Sequence, residues 1–119
     1  MYGLPRDVDL SFLEGQMLLQ VCLGANEVIL HFDEEVSIAI ESPFSIKDNG
    51  KKMDTHKNVS EVASILVKFL HAKIKSVKGE ENGTLTLYFD DGQILKIFDD
   101  SEQFESYTID YKGETVIIV

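Results

Sequence analysis

Thr84–Phe98, TLTLYFDDGQILKIF, is the stretch whose reading decides the fold. Leu85, Leu87 and Phe89 alternate with Thr84, Thr86 and Tyr88, and a period of two marks a strand with one apolar face. Leu95 and Ile97 resume the pattern after Asp90-Asp91-Gly92. A three-residue loop with Gly92 in the left-handed position, a type I turn followed by a bulge, sets Phe89 opposite Gln93, Leu87 opposite Leu95 and Leu85 opposite Ile97. All the large aliphatic side chains then share one face. A two-residue turn at Asp91-Gly92 would set Leu87 opposite Lys96 and scatter them.

The same pattern occurs earlier. A displacement of 57 residues carries Val28, Leu30 and Phe32 onto Leu85, Leu87 and Phe89, and Ile38 and Ile40 onto Leu95 and Ile97. The matching turn is Asp33-Glu34-Glu35, where Glu35 must take a positive φ at some steric cost. A displacement of 56 carries Leu10, Leu13, Leu18 and Val21 onto Leu66, Phe69, Ile74 and Val77. The chain reads as a single domain, 1–119, with an internal repeat over about 9–42 and 59–99 and a C-terminal hairpin over 105–119. Two copies suit duplication within one domain, since a solenoid needs three or more units.

Between the halves, Ser45–Lys57 is the most polar stretch and reads as an exposed link. Asn58 and Glu61 fit the N-cap and N3 positions of a capping box. Val59, Val62, Ile65, Leu66, Phe69 and Leu70 follow at helical spacing, which predicts one main helix over about 58–71 packed on the sheet. Asp7 or Asp9 caps a shorter helical turn through Leu10, Phe12 and Leu13, ended by Gly15. Met17–Leu23 and Lys73–Lys78 read as strands. Lys112-Gly113 is a tight hairpin signal, and Thr115–Val119, TVIIV, is expected to pair inside a sheet or against a second copy. The fold class expected is therefore α+β: a duplicated helix-plus-antiparallel-strand unit, mainly antiparallel sheet, with one main helix.

The 119 residues carry a net charge of −10 and are 44% hydrophobic, which suits one globular domain with a core. Such charge argues against nucleic acid and anionic membranes as partners and is compatible with a basic protein. No apolar run is long enough to span a bilayer. The opening residues lack a signal-peptide pattern, and the one cysteine, Cys22, excludes an internal disulfide; both suit a cytoplasmic protein. Cys22 reads as a small packed residue. One cysteine and three scattered histidines make no zinc site, no glycine loop cradles phosphate, and no cofactor is implied.

Two sets of side chains are candidates for function. Asp90, Asp91, Asp99, Asp100 and Glu102 form the densest acidic region, a surface for docking a basic partner or merely a solvated rim. The spacing lacks the glycine and terminal glutamate of an EF-hand. His31 and Tyr88 occupy equivalent hairpin positions and, with Glu105 and Tyr107, would make a small-molecule or enzymatic pocket if they met in a cleft. The plainer reading of His31 and Tyr88 is the solvated side of a sheet.

Tyr2-Gly3-Leu4-Pro5, then Asp9-Leu10-Ser11-Phe12-Leu13-x-Gly15, and later Phe104-Glu105-Ser106-Tyr107 leading to Val116-Ile117-Ile118-Val119, resemble a family of small bacterial proteins without an assigned activity. The resemblance implies a bacterial, cytosolic, stand-alone domain and transfers no catalytic residue. The function expected is a non-enzymatic protein-interaction module, with an immunity-type inhibitor of a basic partner as its sharper form. The competing expectation is a ligand-binding protein or enzyme with a pocket on the sheet. Self-association through the TVIIV edge, giving a homodimer, is a third.

Overall fold

The computed structural model describes residues 3–4, 8–24, 27–48, 51–54, 65–99 and 106–119, with 51–54 as backbone alone. A 3-10 turn at Ser11–Leu13 leads into β1 (Leu18–Leu23), β2 (Val28–Phe32), β3 (Val36–Ile40), β4 (Phe44–Asp48) and β5 (Lys51–Asp54). A second 3-10 turn, Val67–Phe69, leads into β6 (Ile74–Gly79), β7 (Leu85–Phe89), β8 (Ile94–Ile97), β9 (Tyr107–Tyr111) and β10 (Glu114–Ile118). Two five-stranded antiparallel sheets result. Sheet 1 has the order β1-β2-β3-β9-β10, and sheet 2 the order β5-β4-β8-β7-β6.

This corrects the α+β expectation. Of the described residues 53% are strand and 9% helical, and none belongs to a helix of seven or more residues. The predicted helix over 58–71 survives, within the described residues, as a short turn ended by His71 at φ 73; 58–64 lie outside them. The physical reason is that each sheet supplies the cover the other needs. The apolar sides of both sheets enter one hydrophobic core, so no helix is required to bury them. Leu66 and Phe69 still reach that core, with Phe69 edge-on to Phe89 at 5.0 Å between ring centroids.

The hairpin registers are those the turn chemistry predicts. Leu87 pairs with Leu95 and Leu85 with Ile97; Leu30 pairs with Ile38 and Val28 with Ile40. Gly92 has φ 88, and Glu35, at the matching place, has φ 62. In both edge strands β1 and β6 the pairing is interrupted by a bulge at matching positions, between Leu18 and Gln20 and between Ile74 and Ser76. The bulges break the strict alternation that the sequence suggests for Met17–Leu23, and they leave Leu19 and Leu23 about half exposed at 51% and 50%.

The sheets meet at Met17 and Lys73, which form an antiparallel bridge. The hydrogen bonds around it come in related pairs. Leu18 N–H donates to Ala72 O at 3.0 Å and Ile74 N–H to Gln16 O at 2.9 Å; Gly15 N–H donates to Ile74 O at 2.7 Å and His71 N–H to Leu18 O at 2.8 Å. His71 thus takes the left-handed conformation that Gly15, its counterpart, takes at φ 83.

The last hairpin of each half crosses over. After β3 of sheet 1, the chain passes Ser42-Pro43 and enters sheet 2, where β4 pairs with β8 and carries β5 at the edge. After β8 of sheet 2, the chain returns to sheet 1, where β9 pairs with β3 and carries β10 at the edge. The stretch Ser45–Lys57, expected as an exposed link, is thus largely a hairpin of sheet 2. Thr115–Val119, expected inside a sheet or against a partner, lies at the edge of sheet 1, with Ile117 and Val119 buried and Val116 and Ile118 exposed.

Candidate functional site

Tyr107 and Asp99 are core residues. Asp99 is 8% exposed and accepts hydrogen bonds from Gly3 N–H at 2.8 Å and Ser106 Oγ at 2.6 Å. The Tyr107 hydroxyl donates to Gly83 O at 2.6 Å. Burial, and then the Asp99 carboxylate, push this phenol well above its ordinary range. Gly83 itself has φ +94, and a Cβ built there would overlap the Asp99 side chain. The cluster joins the N-terminal segment, the entry to β7 and the start of β9, and its polar atoms serve one another.

Asp90 and Asp91 lie at the other end of the β7–β8 hairpin. Asp90 Oδ1 accepts from Lys73 N–H at 3.1 Å, and Asp91 Oδ1 accepts from Gln93 N–H at 3.0 Å. Both carboxylates hold turn backbone while remaining exposed. The hairpin's length separates them from Asp99; Asp100 and Glu102 lie outside the described residues.

His31 and Tyr88 are half-buried on the outward faces of different sheets. His31 pairs with Gln20 and Ser37 in sheet 1, and Tyr88 with Ser76 and Ile94 in sheet 2. Tyr107 points into the core between them, and Glu105 lies outside the described residues. His31, Tyr88 and Tyr107 are not gathered into one cleft. Among the described residues no three of His, Cys, Asp and Glu come together as a metal site, and no helix is long and apolar enough to cross a membrane.

The structure instead opens a groove of about 390 Å³ between the first 3-10 turn and β6. Leu4 and Leu10, both buried, form its floor with half-buried Val8 and Val77. Gly79 makes that floor possible, because a Cβ there would lie 2.9 Å from the δ-carbons of both leucines. Around the floor stand Asp9, Glu14, Glu80 and Glu81. Asp9 accepts from Ser11 N–H at 2.9 Å, and the Ser11 hydroxyl and N–H together hold its carboxyl below the usual range. The groove therefore joins apolar surface to carboxylates contributed by both halves of the chain. Sequence reasoning missed it because Glu14 and Glu80 come to line one groove only when the bridge at Met17 and Lys73 sets the first turn beside β6.

The model of a family of unknown function (DUF6188) matches residues 10–119. No curated protein and no solved structure matches the chain.

Proposed function

The chain belongs to the DUF6188 family, which has no assigned function to transfer, and on that premise we propose that it is a non-enzymatic interaction module that takes a basic segment of a partner protein into the groove beside β6. The observation that carries this reading is the combination of four carboxylates with an apolar floor. Lysine and arginine side chains match it, because their aliphatic stems lie on apolar surface while the charged ends reach the carboxylates. The net charge of −10 adds long-range attraction for such a partner.

An immunity-type inhibitor of a basic toxin is the biological form this recognition would take, in the cytoplasm of a bacterium. Support for that setting is the resemblance carried by the YGLP opening and the single cysteine. We further infer that the two halves arose by duplication; the support is the shared turn, hairpin register and bulge positions of the two sheets.

The test is fluorescence anisotropy with a labelled peptide of alternating lysine and leucine. The wild-type chain binds it in a salt-sensitive manner, and the E14Q/E80Q/E81Q variant binds roughly tenfold more weakly, as expected when charges facing a partner are removed. Equal binding by a folded variant removes the groove as the site.

A further inference from the structure

We propose that β1, an edge strand of sheet 1, pairs antiparallel with β1 of a second copy of this chain, joining two sheets across a twofold axis. The two halves of the molecule supply the comparison. β1 and β6 are matching edge strands, yet β6 carries Lys75 and Lys78 where β1 carries Leu19 and Cys22. Lysine on an edge strand guards it against pairing with another chain. The other edge of sheet 2, β5, opens with Lys51 and Lys52. β1 has no charged residue, and its Leu19, Gln20 and Leu23 are exposed. The Ser11–Leu13 turn also packs against β6 more closely than any described element packs against the outer side of β1.

The opposite edge of sheet 1 is less suited. β10 begins at Glu114, and a bulge between Thr115 and Ile117 interrupts it in mid-strand. The bulge of β1 lies at its start, where Leu18 already bonds to Ala72 and His71, so Gln20–Leu23 keeps a regular register.

That register fixes the pairing. Gly24 N–H donates to Glu27 O at 2.8 Å. Counting back along the ladder, Leu23 and Val21 take the non-hydrogen-bonded places opposite Val28 and Leu30, so their N–H and C=O groups point away from β2. No described residue pairs with these four groups. A twofold axis at Cys22 sets Val21 against Leu23 of the second copy and Leu23 against Val21, and every one of the four groups is satisfied. Gln20 then faces Gly24, where no side chain obstructs it. The two Cys22 residues form a non-hydrogen-bonded pair with α-carbons about 4.5 Å apart, within disulfide reach.

Charge selects the occupant. A strand without charge offers nothing to attract a charged segment, whereas a second copy brings an equally neutral strand. Two chains of net charge −10 approach most easily along such an edge.

Sedimentation equilibrium of the full chain over a concentration series tests this. The expected result is a reversible dimer that rising salt tightens, because salt screens the repulsion between the copies. Cys22→Lys sets lysine opposite lysine and weakens the dimer roughly tenfold; β6 carries lysine at the matching place, so the fold accommodates it. Leu23→Lys, at a half-exposed position, is the second variant and keeps the thiol. Diamide cross-links the wild-type chain through Cys22 and cross-links Leu23→Lys much more slowly. Ile118→Lys, on β10, leaves the dimer unchanged. A monomer at every concentration, unchanged association of both folded β1 variants, or a dimer lost only with Ile118→Lys would each overturn the proposal.

Discussion

The Tyr107 hydroxyl of β9 donates to the Gly83 carbonyl at 2.6 Å, tying sheet 1 to the loop that opens β7 of sheet 2. Tyr107→Phe removes the donor and leaves a buried carbonyl unpaired. The expected loss is about 1–3 kcal/mol, measured by urea denaturation. No change in the midpoint would mean that the bond holds nothing.

The same phenol governs behaviour in alkali. Its folded pKa is raised above the unfolded value of 10.0, so the folded state keeps its proton where the unfolded state releases it. The resulting stabilisation is fully present below pH 10 and declines as pH rises above it. Absorbance titration of the four tyrosines should show one that ionises only with unfolding. Four phenols titrating together in the folded protein would contradict the burial of Tyr107.

Two glycines with positive φ differ in what surrounds them. At Gly83, φ +94, a side chain meets Asp99; at Gly92, φ +88, it meets open space. Gly92→Ala carries only the left-handed penalty, about 1–2 kcal/mol. Gly83→Ala adds overpacking of roughly 1–3 kcal/mol, and it should unfold at clearly lower denaturant. Equal midpoints for the two variants would show that Asp99 yields freely.

Among the described residues the buried Gln93 finds no partner for its Oε1, whereas the matching residue of the first hairpin is the buried Val36. Gln93→Val should therefore stabilise the protein by about 1 kcal/mol, the order of the cost of an unpaired buried acceptor. A lowered melting temperature would imply that the amide has a partner.

The hairpins were legible because Leu85, Leu87, Leu95 and Ile97 fall on one face in only one register, and Gly92 selects that register. The β4–β5 hairpin was not, because Lys47, Lys51 and Lys52 made the segment look like a solvated link. Phe44 and Ile46, and the Asn49-Gly50 pair that favours tight hairpins, were the overlooked signals. Of the helical period from Val59 to Leu70, the described residues show only a short helical piece at 65–69; an apolar stripe reports a need for cover, and sheet 1 and sheet 2 already cover each other. Asp99 read as surface because its partners, Gly3 and Ser106, are brought to it by the fold. The groove was hidden for a like reason, as Asp9 and Glu14 stand far in sequence from Glu80 and Glu81.

The exchange of hairpins completes each five-stranded sheet with strands from the other half of the chain. Cross-strand Hα–Hα contacts in the NMR spectrum of the full chain test it most directly. The account predicts contacts between residues of Phe44–Asp48 and Ile94–Ile97, and between residues of Val36–Ile40 and Tyr107–Tyr111. Contacts linking β4 to β3, or β9 to β8, within a plain meander would contradict it.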